Sequence, residues 1–217
     1  MKIEEVILYT TSIKEQRHFY GSILELDLLI DLPNKVSFKT GNSTLTFQNR
    51  KYVKPSHLAF NIPHNKIQEA LSWLQSRVEI IDYEGKLISD FSNWNAEAIY
   101  FYDADENILE FIGRRNLKIE SNDQFSSNSI ISISEMAIAT DNIQSIYNTI
   151  NAFKPITIFD GNFDRFCAIG NDEGLFILID KKKKKWYPSM DKAYTSDFVI
   201  KGDYNFSFEN GIIKELL

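Results

Sequence analysis

Three stretches of this chain run through the same order of periodicities, and a repeat of supersecondary size constrains architecture before any single residue does. In "EEVILYTTSIKEQRHFYGSIL" an apolar strand pattern around Val6 to Tyr9 leads into Ser12 and Glu15, spaced as a capping box. Helical spacing at Ile13, Phe19, Tyr20, Ile23 and Leu24 follows. "SHLAFNIPHNKIQEALSWLQSRV" does the same, with Leu58 and Phe60 in the strand, Asn65 and Gln68 at the cap, and Ile67, Leu71, Leu74 and Val78 on one helical face. "SEMAIATDNIQSIYNTINAF" is the third copy, with Met136 and Ile138 in the strand, Asp141 and Gln144 at the cap, and Ile143, Ile146, Tyr147 and Ile150 on the helix. After each helix come strand-like runs folded over a polar turn: "KVSFKTGNSTLTFQ", "EAIYFYDADENILEFIG" and "RFCAIGNDEGLFILID". The unit is therefore βαβββ and the expected class α+β.

Between the second and third copies lies "ESNDQFSSNS", polar and rich in Ser and Asn, which reads as a linker. The expected organisation is a paired-module domain over 1–115, a linker over 116–130, and a third half-domain over 131–217. The half-domain carries two extra strands, "DFVIKG" and "YNFSFENG".

Composition narrows the function classes. The 217 residues are 43% hydrophobic and 25% charged, enough for a sizeable core. No run approaches the ~18 apolar residues of a spanning helix, and "MKIEEVILYT" has no leader pattern, so a cytoplasmic, non-membrane protein is expected. Cys167 stands alone, which excludes a disulfide framework or a cysteine-rich zinc site within one chain. A net charge of −6 and a pI near 5.2 argue against nucleic-acid binding. The five lysines Lys181 to Lys185 run against that balance; they read as a solvated loop, with an anion or acidic-partner contact as the alternative.

Superposing the copies stacks Glu5, His57 and Glu135 in the first strand and Thr46, Glu110 and Ile177 in the last. Glu110 stands between Ile108 and Ile112 on one strand face, and a buried carboxylate requires a partner, a hydrogen bond or a metal. Gln48 shares a face with Thr46. If the first two copies pair about a pseudo-twofold axis, Glu5, Thr46, His57 and Glu110 converge in one concave cavity. The third copy, with aliphatic Ile177 where Glu110 stands, reads as structural. Its half-cup needs covering by the tail strands or by a second subunit, so a homodimer is an expectation.

"EVILYTTSIKEQRHFY", "HLAFNI" and "YFYDADENILEF" resemble the βαβββ module of the vicinal oxygen chelate superfamily, which contains glyoxalases, extradiol dioxygenases and bleomycin-resistance proteins. The resemblance covers residues 1–115 and, less fully, 131–180. It implies two modules curled into an open cup of mixed sheet, a divalent metal held by first and last strands, and a small-molecule substrate. Carried over, His57, Glu110 and Glu5 fall on ligand positions, Glu5 as a carboxylate where a histidine is frequent. Thr46 stands where a glutamate is common, and "DADEN" lacks the family's usual turn residues.

One imidazole and two carboxylates suit Mn, Zn, Ni, Fe or Mg, and such an ion acts as a Lewis acid toward a substrate bound through adjacent oxygens. A metal-dependent lyase, isomerase or dioxygenase is then expected, with Glu110 or Glu5 as general base and Tyr9, Thr46, Gln48, Trp94, Tyr100 and Phe101 lining the pocket. The alternative is a metal-free binding protein of the bleomycin-resistance kind with a degenerate site. His18 and His64 read as surface residues.

Overall fold

The computed structural model describes residues 1–216. Each expected module is present. The first comprises β1 (Ile3–Thr10), α1 (Ile13–Arg17, continued by a π-helical turn over His18–Ile23), β2 (Leu28–Leu32), β3 (Lys35–Thr40) and β4 (Ser43–Asn49). The second comprises β5 (His57–Asn61), α2 (Ile67–Gln75), the short β6 (Ile80–Ile81) and β7 (Ser89–Phe91), then β8 (Ala96–Tyr102) and β9 (Ile108–Arg114). The third comprises β10 (Ser132–Thr140), α3 (Ile143–Phe153), β11 (Ile158–Asn162), β12 (Phe166–Asn171) and β13 (Gly174–Asp180). Strands β14 (Phe198–Gly202), β15 (Phe206–Glu209) and β16 (Ile212–Glu215) close the chain. No helix among the described residues is long and apolar enough to cross a membrane.

Local chemistry accounts for the helix starts, with two corrections. Ser12 caps α1 by accepting from the Glu15 amide at 3.3 Å, as its spacing predicts. In the third module the cap is Asn142, one residue beyond the expected Asp141, accepting from Ser145 at 3.0 Å. Helix α2 has no side-chain cap. Asn65 instead exchanges hydrogen bonds with the Ser121 backbone at 2.8 and 3.1 Å, tying the segment before the helix to the chain beyond β9.

The equivalence of the copies reappears in the sheet register. First and last strands of every module run parallel and adjacent, pairing Ile7 with Thr46, Ala59 with Glu110, and Ala137 with Ile177. The pairing of modules differs from the expected one. A nine-stranded sheet runs β11-β12-β13-β10-β5-β9-β8-β6, with β7 also on β8; a seven-stranded sheet runs β16-β15-β14-β1-β4-β3-β2. The cup is thus built by the second and third modules, joined through antiparallel β5 and β10. The first module takes β14 to β16 as its partner, with β14 antiparallel to β1.

Side chains explain this choice. Lys201 of β14 stands opposite Glu5 of β1, its ammonium 2.7 Å from the carboxylate, and opposite charges directly across a ladder stabilise the pairing. The third module is therefore half of the cup rather than a structural appendage, and the tail pairs with the free edge of β1 in the first. An exposed half-cup, the reason for expecting self-association, does not arise.

One apolar core runs through both sheets, holding Val6, Leu8 and Phe47 together with Leu58, Phe60, Met136 and Phe176. The expected linker is built into it. Phe125 is buried against Trp73 and Phe111, with ring centroids 5.6 and 5.9 Å away, and the Asn42 amide donates to the Ile131 carbonyl at 2.8 Å. Strands from either side of 116–130 share both sheets.

Candidate functional site

Strand alternation decides which side chains face the cup. On β5, β9 and β10 the residues Leu58, Leu109 and Met136 point into the core, so His57, Glu110 and Glu135 point the other way. Among the larger Ile108, Ile112, Ile177 and Ile179, this inner face carries Ala59, Ala98, Ala137, Ala139 and Ala168, which contribute no more than a methyl group each. Such a surface is concave, and a loop over residues 181–197 spans it with Trp186 and Tyr187. Between face and loop lies a cavity of about 810 Å³. Trp186 packs against the His57 ring with centroids 5.4 Å apart, and Tyr187 lies 5.8 Å from Tyr100.

At the cavity floor His57, Glu110 and Glu135 are 5%, 2% and 3% exposed. The imidazole Nε2 lies 3.4 Å from Glu110 Oε2 and 3.6 Å from Glu135 Oε2. Its other nitrogen, Nδ1, is 3.1 Å from the Ile108 carbonyl oxygen, to which it donates, leaving Nε2 for the carboxylates. Burial alone would lower the His57 pKa, but the hydrogen bond to Glu135 and the charge of both carboxylates outweigh it and raise it. Burial, and then the charge of Glu135, push Glu110 well above the usual carboxylate range; His57 and Arg114 pull the other way. Tyr100 sits directly across the ladder from Glu110, and burial beside these carboxylates raises its phenol strongly.

Arg114 completes the floor from below. It lies four residues after Glu110 on the same face of β9, its side chain wholly buried and ion-paired with Glu135 Oε1. Glu135 Oε2 remains directed at His57. The guanidinium also lies 5.3 Å from the Trp94 ring, and its Nη1 has no hydrogen-bond partner.

The three ligand atoms of His57, Glu110 and Glu135 lie within 4.8 Å of one another. An imidazole oriented by a backbone carbonyl, with two carboxylate oxygens converging on the same point, is a donor set that fits a divalent cation.

Other expected site residues lie elsewhere. Glu5 belongs to the seven-stranded sheet, where Lys201 occupies the place a cation would take and Thr46 donates to Glu5 Oε1 at 2.9 Å. These hydrogen bonds hold the Glu5 carboxyl low although its partial burial alone would raise it. Thr46 is in turn hydrogen-bonded to Ser37 at 2.8 Å, and Gln48 pairs across the ladder with Tyr9 in this same sheet. Tyr9 lies beneath the Arg50 guanidinium, 3.4 Å from its ring centre, in a separate polar cleft. Phe101 points into the core, whereas Trp94 and Tyr100 do line the cavity. His18 is exposed and His64 half-buried.

Glu135, Arg114 and Trp186 are the site residues that sequence reasoning missed. Glu135 had a signal, since it stacks on His57 in the repeat, and Arg114 is in phase with Glu110 along β9. Nothing in the repeat placed Trp186, which comes from a loop.

A family model described as a glyoxalase-like domain matches residues 3–114. No curated protein is similar enough in sequence to match. Among solved structures, a candidate dioxygenase from Bacillus subtilis superposes with a TM-score of 0.57 at 14% identity, covering 82% of this chain; the chain spans 63% of that protein's length. A lactoylglutathione lyase from Agrobacterium tumefaciens gives 0.46 at 18% identity over 54% of this chain and 97% of its own. A fosfomycin resistance protein from Listeria monocytogenes gives 0.43 at 16% over 52% and 94%. The repeated βαβββ module, the open cup and a family match over more than half the residues agree: the chain belongs to the glyoxalase-like family of the vicinal oxygen chelate superfamily.

Proposed function

We propose that the cup formed by the second and third modules is the active site of a metal-dependent enzyme, with His57, Glu110 and Glu135 as the metal ligands. The substrate is a small molecule that chelates through two adjacent oxygens, and the reaction is of the lyase, isomerase or dioxygenase type. The single observation that carries the reading is the buried His/Glu/Glu cluster at the floor of a cavity large enough for a substrate. When bound, a divalent cation of the Mn, Zn, Ni, Fe or Mg group supplies Lewis-acid stabilisation of charge that develops on the substrate's oxygens.

The chain's own residues do the rest. The Ile108 carbonyl fixes the His57 tautomer, and Arg114 holds Glu135 in one orientation. Glu110 would be ionised as a metal ligand, and with Glu135 engaged by Arg114 it is the carboxylate on the cavity floor placed to accept a substrate proton. Trp186 and Tyr187 exclude water from above.

A second reading, metal-free sequestration of an aromatic ligand, is supported by the aromatic walls and by the Arg114 charge already set against Glu135. Elemental analysis by plasma mass spectrometry separates the two. After loading with each metal and removal of excess, the parent and Glu5→Ala should retain about one equivalent, and His57→Ala, Glu110→Ala and Glu135→Ala should lose it. Retention by none of the proteins would leave the sequestration reading; loss in Glu5→Ala alone would refute the proposed ligand set.

A further inference from the structure

The lysine run after β13 is the feature of the chain that the metal site does not absorb. Its members do different things. Lys181 and Lys182 both reach Asp141, at 3.0 Å each, and Lys183 reaches Asp164 at 2.7 Å. These three fasten the loop that roofs the cavity. Lys184 and Lys185 make no ion pair among the described residues, and neither does Arg165 on the facing turn; all three line the cavity. Lys184 is half-buried, with its ammonium 4.2 Å from the centre of the Phe166 ring.

Two carboxylates on the cavity wall are hydrogen-bonded to neutral donors. Asp160 accepts from the Trp94 indole at 2.7 Å, and Asp90 accepts from the Ser92 hydroxyl at 2.8 Å. Against the two charges of Asp160 and Asp90, three cations that make no ion pair among the described residues, Lys184, Lys185 and Arg165, line this apolar, aromatic-walled cavity in a chain of net charge −6. Holding like charges together beside a low-dielectric wall is unfavourable unless an anion joins them.

We infer that the ligand of this cavity carries an anionic substituent, such as a carboxylate or phosphonate, on a flat apolar body, and that Lys184, Lys185 and Arg165 bind that group at the rim. The inference rests on the proposed function for what happens at the other end of the molecule, where two adjacent oxygens would meet the cation. The rim selects among chelating substrates by charge.

The test uses aryl hydroxamates, which chelate through adjacent oxygens, with a variable group at the far end. Affinities of 4-methyl-, 4-carboxy- and 4-phosphonomethylbenzohydroxamate are measured by calorimetry on the manganese-loaded full chain. In parallel, 4-methylbenzoate and 4-methylbenzyl alcohol are titrated into protein stripped of metal. Both anionic hydroxamates should bind about tenfold more tightly than the methyl compound, an advantage that shrinks as salt rises. In the triple variant Lys184→Gln, Lys185→Gln, Arg165→Gln that advantage should vanish while the methyl compound binds as before. A preference for 4-methylbenzoate over the alcohol, lost in the same variant, supports the rim even if no hydroxamate depends on metal; that pattern would refute the metal site alone. Equal binding of the charged and neutral members of both sets, or a preference that survives the triple variant, overturns the inference.

Discussion

Replacing Arg114 by Met removes the guanidinium ion-paired with the buried Glu135 while keeping the length and apolar stem of the side chain. Both groups are almost inaccessible, with side chains 0% and 4% exposed, so solvent cannot take over the pairing. Breaking a buried pair by removing one partner costs about 3–5 kcal/mol, because the other charge stays uncompensated. The His57 imidazole remains on the other oxygen of Glu135, which sets the loss toward the lower end of that range. For a chain of this size each kcal/mol moves the midpoint by about 2–4 °C, so metal-stripped Arg114→Met should melt about 10 °C below the parent. If the cluster holds a divalent cation, that cation supplies the missing charge. The variant should then bind it at least about tenfold more tightly than the parent, and excess manganese should recover a larger share of stability in the variant. Differential scanning calorimetry with and without metal measures both effects. Equal metal-induced shifts in the two proteins would refute the argument that Arg114 and a cation compete for the charge of Glu135.

Other consequences are more local. Asp103 is buried, accepting from the Tyr20 hydroxyl at 2.9 Å and the Asn107 amide at 2.8 Å, and burial pushes its pKa to about 6 against an ordinary 3.8. The folded value lies above the unfolded one, so this group's contribution is full below pH 3.8 and is lost as pH rises through 6, in total about 3 kcal/mol. Asp103→Asn should be less stable throughout yet lack that decline between pH 4 and 7; parallel slopes in denaturant titrations would count against it. Ala137→Phe fills the cup from β10 and should abolish ligand binding by at least about tenfold while the metal stoichiometry stays at the parent's, with tight binding to the variant the contrary result. Glu5→Gln, which weakens the pair with Lys201, should cost no more than about 1 kcal/mol by urea denaturation and leave metal binding intact; loss of metal would restore Glu5 to the site.

What the sequence disclosed followed from short-range periodicity. The alternation around Glu110 located the inner face of β9, and stacking the copies placed Glu5, His57 and Glu135 at one structural position, which the strand registers reproduce. The choice of neighbours across modules was not legible, because it depends on contacts between residues far apart in the chain. Lys201 opposite Glu5 is such a contact, and it sits in a tail with no helix to mark it as a module's partner. Reading the first two copies as one cup therefore placed Glu5 beside His57 and left Glu135 outside. The cavity wall supplied by Trp186 escaped for a related reason: a loop residue has no periodicity to betray its face.

The interleaving of the two sheets bears on how the chain is made. Val6 of β1 pairs with Ile200 of β14, so the strand beside β1 is made long after it. At roughly 5–20 residues per second, the edge of β1 waits some 10–40 s for its neighbour while modules two and three emerge and can close their own cup. A chain lacking residues from 198 onward would hold the strands of the binding cavity beside a four-stranded half, β1 to β4, without its partner. The second and third modules would then fold first, with β1 the strand that waits longest for its neighbour.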